Sequence, residues 1–146
     1  MLNRESFRID SRFSCVMNGK EIGILGEKIA LDYLQGKGYK ILDKNFKVGF
    51  LAGPQTGEID IVCKKDDVIN FVEVKTSFTN RENVFFPEDR VDLIKRKKIA
   101  KAAECWLIQN KIALDNPWQI DIIAIELDDN QKQQEISFFE NADAYQ

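Results

Sequence analysis

The chain has 146 residues, of which 44% are hydrophobic and 31% charged, and these values fit one soluble domain with a real core. It contains no histidine, which excludes Ser-His-Asp and Cys-His nucleophiles and histidine-ligated zinc. Any hydrolytic chemistry must therefore use carboxylates, lysine and a hard metal ion. The net charge is −3, yet residues 1–125 hold 20 bases against 18 acids. Binding to a polyanion is therefore permitted.

The cysteines and the apolar runs indicate the cellular compartment. Cys15, Cys63 and Cys105 are far apart and form no CxxC pair, so we expect reduced thiols rather than a disulfide framework or a zinc cluster. No apolar run approaches the roughly 18 residues of a membrane helix, and residues 1–20 contain no secretory apolar region. We expect a cytoplasmic protein without a membrane partner.

The first half of the chain predicts one helix and one strand. Residues 1–18 have no clear period and are interpreted as an N-terminal arm or a short extra element, while residues 19–146 are expected to form a single domain. Apolar residues recur at helical spacing from Lys20 to about Gln35, and the stretch GKG at 36–38 ends the helix. YKILDKNFKVGF then predicts a strand, followed by a loop at LAGPQTG.

The second half predicts a hairpin, a long helix and one or two strands. Residues 57–64 and 68–76 are expected to pair through the polar turn KKDD, and SFTNRENVFFPED is expected to be a loop. A helix follows over residues 90–110, with its apolar side formed by Val91, Ile94, Ile99, Ala102, Ala103, Trp106 and Leu107. WQIDIIAIEL predicts a buried strand, and EISFFENA a short last one. The resulting order, α-β-β-β-α-β(β), indicates an α/β fold with helices packed on a mixed sheet.

Charged residues inside the two hairpin strands suggest a site. Side chains alternate along a strand, so Glu73 and Lys75 share one face, as do Glu58 and Asp60 on the preceding strand. If the strands pair, Asp60 and Glu73 converge near Lys75. Such carboxylates suit a hard divalent ion that promotes phosphodiester hydrolysis. The alternative is a buried ion pair of Lys75 with either carboxylate that fixes the strand register.

The first helix adds a third carboxylate. Glu27 lies on the border of the apolar face, where the small residues Gly23 and Ala30 would allow the helix to approach the sheet and carry Glu27 towards Asp60. The alternative is a solvated helix carboxylate near Lys28.

Taken together, the stretches GILGEKIALDYLQGKGYKILDKNF, GEIDIV, FVEVKT, VDLIKRKKIAKAAECWL and IDIIAIE resemble the YraN-like family of predicted endonucleases. The resemblance covers residues 20 to about 142 and implies a restriction-endonuclease-like fold with the PD-(D/E)xK site, as in archaeal-type Holliday-junction resolvases. It implies a metal site of Asp60 and Glu73, Lys75 as the catalytic lysine, and Glu27 as the acidic partner from the helix. The ion would be Mg²⁺, with Mn²⁺ as a substitute.

Further residues have weaker signals. Lys95, Lys98 and Lys101 are three apart along the second helix and could form a stripe that contacts a phosphate backbone, or simply a solvated face. Asp121, alone in a buried strand, is interpreted as structural, and Glu58 as structural or supporting Asp60. Trp106 and Trp118 are expected in the core, and Cys63 and Cys105 are expected to be inert.

The sequence therefore predicts a metal-dependent endonuclease that hydrolyses phosphodiester bonds in DNA, with branched or structured DNA as the suggested substrate. The competing hypothesis is a nucleic-acid-binding or adaptor protein that keeps the nuclease fold without cleaving. DNA and RNA substrates are not distinguished, and a homodimer remains open because related resolvases act on two-fold substrates.

Overall fold

The strands form one mixed sheet. The computed structural model describes residues 2–8, 17–49, 57–78, 93–128 and 133–142. In chain order, the elements are β1 (Leu2–Arg8), α1 (Gly19–Gly36), β2 (Lys40–Lys47), β3 (Glu58–Lys65), β4 (Val68–Phe78), α2 (Leu93–Gln109), β5 (Trp118–Leu127) and β6 (Gln133–Phe139). The strand order is β1-β6-β5-β4-β3-β2. Only the β4–β5 pair is parallel among these neighbours, so the predicted mixed α/β architecture is confirmed. The elements from α1 to β6 follow the predicted order.

Strand β1 lies in the segment interpreted as an arm or a short extra element. It pairs antiparallel with β6, with Leu2 opposite Phe139 and Arg8 opposite Gln133. The beginning of the described chain is thereby joined to its last strand. No local period in residues 1–18 indicated this pairing.

Helix α1 begins and ends within a residue of the prediction. Asn18 caps it: its side chain accepts a hydrogen bond from the Glu21 N–H at 2.9 Å, and Glu21 Oε2 accepts one from the Asn18 N–H at 3.2 Å. This reciprocal capping satisfies two otherwise orphaned N–H groups of the first turn. At the other end, Gly38 has φ of +86°, a left-handed conformation that glycine adopts without steric cost.

The predicted hairpin of β3 and β4 is confirmed. Lys65 pairs with Val68, so Asp66 and Asp67 form a two-residue turn. Both have positive φ, 49° and 66°, as a type I′ turn requires, and aspartate tolerates that conformation better than most residues. The turn sets the register that carries Ile61 opposite Val72.

The sheet has a core on each face. On one side, α2 packs Ile99, Ala102, Ala103 and Trp106 against the sheet; on the other, α1 packs Ile29, Ala30, Tyr33 and Leu34. The predicted apolar side of α2 is wrong at Ile94, which is 69% exposed. With Ile99 and Ala102 facing the sheet, the helical period turns residue 94 about 100° away. Val91, also predicted apolar, lies outside the described residues.

Two predicted loops lie largely outside the described residues. LAGPQTG occupies positions 51–57, of which only Gly57 is described, and SFTNRENVFFPED occupies positions 77–89, of which the first two belong to β4. None of the described helices is both long enough and apolar enough to cross a membrane.

Trp106 and Cys63 are buried in the core, and Trp118 is half-buried and packs against it. Trp106 is 3% exposed, its Nε1–H donates to Asp43 Oδ2 at 2.8 Å, and its ring meets Phe71 edge-on at 5.7 Å. The ring of Trp118 also meets Phe71 edge-on, at 5.7 Å. Burial, with a smaller contribution from the charge of a nearby carboxylate, raises the pKa of Cys63 to about 12, so this thiol stays protonated and inert near neutral pH.

Asp121 is completely buried within a set of hydrogen bonds. It accepts from Asn70 Nδ2 at 2.6 Å, from Gln119 Nε2 at 2.8 Å and from the Asn141 N–H at 2.7 Å. Burial raises the pKa of Asp121, and these three hydrogen bonds oppose the rise. Because the donors come from β4, β5 and the chain after β6, the contacts support the structural role predicted for Asp121.

Helix α1 comes unusually close to the sheet at Gly26. A Cβ added to Gly26 would lie 1.8 Å from Thr76 Oγ1, 3.0 Å from its Cβ and 3.2 Å from its Cγ2. The sequence interpretation assigned this approach to Gly23 and Ala30. Ala30 is fully buried, whereas Gly23 has nothing within 4 Å of an added Cβ. The predicted close approach therefore occurs one turn further along, immediately before Glu27.

Alanine substitutions at these two glycines should have opposite effects. Gly26→Ala should lower the free energy of unfolding by about 1–3 kcal/mol, because rotation of Thr76 cannot relieve all three contacts. Gly23→Ala should raise it by roughly 0.5–1 kcal/mol, since alanine favours helix and the space is open. Urea unfolding measures both. Equal effects of the two substitutions would show that α1 does not depend on this contact.

Candidate functional site

The candidate site begins where β3 and β4 separate. Their main-chain pairing ends at Ile61 opposite Val72. Beyond it, the Asp60 side chain takes the place of a main-chain acceptor, since Oδ2 accepts the Val74 N–H at 2.7 Å. Ile59 packs in the same core as Val62, which strict alternation would not allow. The predicted alternation along β3 is therefore interrupted beside Asp60, because its carboxylate turns towards β4.

Glu73 and Lys75 share one face of the sheet, as their spacing predicted, and that face carries α2. In the parallel pairing with β5, Glu73 is opposite Ile122 and Lys75 is opposite Ala124, and both partners belong to the core under α2. Residues paired in register point to the same face. Glu73 is only 7% exposed, whereas Lys75 is half-buried.

Two further carboxylates act on Asp60 at this position. The pKa of Asp60 is raised to about 7, first by burial, then by the charge of Glu73 and, more weakly, by that of Glu27. The Val74 N–H and the Lys95 ammonium act in the opposite direction. Glu27 reaches the site because the adjacent Gly26 brings α1 onto β4. The structure therefore places Asp60, Glu73 and Glu27 in one electrostatic neighbourhood.

The site also contains a lysine that the sequence analysis assigned elsewhere. Lys95, in the first turn of α2, forms an ion pair with Glu73 Oε1. The side chain of Lys95 is 46% exposed and that of Glu73 8%, so the ammonium reaches inward from the surface. A helical wheel could have revealed this: Lys95 lies in line with the buried Ile99 and Ala102.

The donor set fits a hard divalent ion with few protein ligands. Asp60 and Glu73 supply carboxylate oxygens, and their mutual repulsion would be relieved by a bound cation. A cationic group, the ammonium of Lys95, already contacts one of them. Mg²⁺ often uses one or two carboxylates and keeps several waters. Within the described ranges, no three acidic or cysteine side chains are arranged to hold a metal ion, so Glu27 stays a predicted ligand.

The remaining predicted residues lie near the site or on its border. Lys98 is half-buried and Lys101 exposed, and the Lys98 carbonyl accepts the Gly57 N–H at 3.3 Å, which fixes the start of β3 against α2. The three-lysine stripe is thus divided, with Lys95 turned into the site. Glu58 faces solvent and pairs with Lys47 at 3.5 Å, so it does not support Asp60.

Fold and site together define a mixed α/β protein with paired carboxylates and lysines at the point where two central strands separate. The chain belongs to the uncharacterised protein family UPF0102, whose model matches residues 26–125. The match includes every candidate site residue, namely Glu27, Asp60, Glu73, Lys75, Lys95, Lys98 and Lys101. The YraN-like family membership predicted from the motifs is thereby confirmed.

Curated relatives agree with this assignment. A UPF0102 protein of Clostridioides difficile is 42% identical over 113 residues, which cover 76% of this chain and 90% of the relative. One from Dictyoglomus turgidum is 40% identical over 113 residues, with 76% and 86% coverage. One from Campylobacter jejuni is 41% identical over 116 residues, with 80% and 93% coverage.

The raised pKa of Asp60 predicts a stability that depends on pH. Folding raises this pKa from 3.8 to about 7, so the folded state binds the proton more tightly and loses stability as pH rises through that interval. Asp60→Asn keeps an acceptor for Val74 but cannot ionise. Without divalent ions, wild type should therefore lose stability between pH 4 and 8, whereas Asp60→Asn should not. The unfolding free energy of Asp60→Asn minus that of wild type should increase over this range by on the order of 2 kcal/mol or more.

Urea unfolding across that pH range, in the presence of a chelator, measures this difference. Glu58→Gln is the matched control, because it neutralises an exposed carboxylate on the same strand and should give a flat difference. A flat profile for Asp60→Asn as well would mean that Asp60 is hydrated like a surface carboxylate.

Proposed function

We propose that this protein is a Mg²⁺-dependent endonuclease that hydrolyses phosphodiester bonds in DNA, with branched or structured DNA as its substrate. One observation carries the proposal: Asp60 and Glu73 come from two separating strands, and burial together with the charge of Glu73 raises the pKa of Asp60 to about 7. Such crowding of like charges is costly for stability. It is expected where a site is built for a cation.

The side chains of the site would have different roles in metal binding and hydrolysis. Asp60 and Glu73 would hold the ion, with the Val74 N–H orienting the Asp60 carboxylate so that its second oxygen can bind. Glu27 would add a carboxylate from α1. When bound, the ion supplies Lewis-acid stabilisation of a phosphodiester and a more acidic water. Lys75, on the same face as Glu73, would stabilise the negative charge that develops at the phosphorus during attack.

The surface of α2 would contact the DNA backbone. Lys98, which is half-buried, and the exposed Lys101 lie three residues apart on α2, and lysines at this spacing can contact a phosphate backbone. The acidic excess of the chain is concentrated in residues 126–146. The net charge of −3 therefore does not oppose binding at α2.

Substitutions at the proposed site residues should separate metal binding from cleavage. Asp60→Ala should abolish both, because it removes a ligand oxygen. Lys75→Ala should retain the ion but suppress cleavage, because a charged amine offers no lone pair to a metal. Glu27→Ala should be milder, since the strands alone could hold one ion. Calorimetric titration with Mg²⁺ and Mn²⁺ measures binding.

Cleavage is measured on linear, nicked, single-stranded and four-way-junction DNA, with matched RNA in parallel. Glu58→Ala is the control and should behave as wild type in both assays. If Lys75→Ala cleaves as fast as wild type, then the lysine is a structural partner of Glu73. The catalytic role proposed for Lys75 would then be wrong.

The salt dependence of DNA binding tests the α2 surface. Replacing Lys98 and Lys101 with glutamine should weaken binding to all sequences and reduce the slope of log K against log salt by about 2, one for each lost phosphate contact. The charge-matched control is the double variant Lys40→Gln with Lys64→Gln, at opposite positions of β2 and β3. An unchanged slope for the double variant would indicate that these lysines are a solvated face.

The ion pair of Lys95 with Glu73 favours the competing hypothesis of a non-cleaving nucleic-acid-binding protein. An ammonium already satisfies one of the two carboxylates, as it would in a structural pair. The same assays discriminate: such a protein would bind DNA with the predicted salt slope, yet show no divalent ion in calorimetry and no cleavage.

A further inference from the structure

Lys95 stands in a position to which the proposed function assigns no role. Its ammonium contacts Glu73 Oε1, and its charge is close enough to Asp60 to lower the pKa of that carboxyl. One cation thus acts on both carboxylates assigned to the metal. The lysine belongs to α2, whereas the carboxylates belong to β3 and β4, so it can leave without disturbing the strands.

We propose that Lys95 is a built-in competitor for the divalent ion, which holds the cation position at Glu73 until the ion displaces it. This inference rests on the proposed metal site. A carboxylate that is 7% exposed needs a counter-charge in the metal-free protein, because an unpaired buried charge is strongly destabilising. Lys95 provides that charge, and the divalent ion provides it after loading.

The geometry of Lys95 permits the exchange. Its side chain is 46% exposed, and its stem lies at the first turn of α2. The ammonium can therefore turn into solvent by rotation about its own side-chain bonds. A fully enclosed lysine could not be displaced at so small a cost. Glu73 would then pass from one cation to another without becoming an unpaired buried carboxylate.

Competition has a measurable consequence for metal affinity. The apparent affinity for the metal ion equals the intrinsic affinity multiplied by the fraction of molecules in which the site is accessible. An ammonium that is paired for roughly nine-tenths of the time would weaken binding about tenfold. Lys95→Met should therefore bind Mg²⁺ or Mn²⁺ about tenfold more tightly than wild type, at fixed pH and ionic strength. Lys95→Arg, which keeps a cation at Glu73, should remain near wild type.

Two further variants separate competition at Glu73 from a change in net charge or a failure to fold. Lys97→Met deletes an equal charge two residues away, on an exposed part of α2, and should change the affinity little. Lys95→Gln removes the charge but can still donate a hydrogen bond to Glu73. It should show the same tighter binding and serves if Lys95→Met does not fold. Calorimetry with the metal alone gives each affinity.

Thermal unfolding provides a second measurement. Without metal, Lys95→Met should melt below wild type because Glu73 loses its counter-charge. Saturating Mn²⁺ should then raise its melting temperature by more than that of wild type, since the ion binds only the folded state.

Each result supports or overturns the inference. Equal or weaker binding by Lys95→Met and Lys95→Gln, with wild type binding normally, would overturn the competition while leaving the metal site intact. An equal gain in Lys97→Met would also overturn it. Absence of binding in wild type and all variants would overturn both the metal site and the competition.

Discussion

The burial of Asp60 beside Glu73 is the constraint around which the rest of the site is arranged. Both residues lie where β3 and β4 stop pairing, and burial, followed by the charge of Glu73, raises the pKa of Asp60 to about 7. Three features reduce this cost: the Val74 N–H, the Lys95 ammonium and the solvent that reaches the half-buried Asp60. None of them removes it.

Both helices are placed in relation to this pair. Helix α1 approaches β4 closely enough that residue 26 must be glycine, and the next residue along the helix is Glu27. Helix α2 brings Lys95 to Glu73, while its Lys98 carbonyl holds Gly57 at the start of β3. The two faces of the sheet therefore contribute opposite charges to one point, the acid from α1 and the amine from α2.

Much of this arrangement follows from local patterns. Alternation in FVEVKT placed Glu73 and Lys75 on one face, and the KKDD turn fixed the hairpin that brings Asp60 alongside. The position of Lys95 was not predicted, because its spacing from Lys98 and Lys101 indicated a stripe on the helix surface. The buried residues Ile99 and Ala102 lie on the same face of α2 as Lys95. No periodic pattern in the sequence indicates where β3 separates from β4, because the Asp60 side chain replaces a main-chain acceptor there. The pairing of β1 with β6 joins residues more than 120 positions apart, and such long-range contacts leave no local signal.

Strand β2 forms one edge of the sheet, and its chemistry limits how copies of this chain can associate. Lys40, Lys44 and Lys47 are charged positions along it, Asn45 has φ of +50°, and the register shifts between Ile41 and Asp43. Charged side chains and local irregularity are the means by which edge strands resist pairing with another chain. Among the described strands, this border of the sheet is therefore poorly suited to edge-to-edge pairing with a second copy.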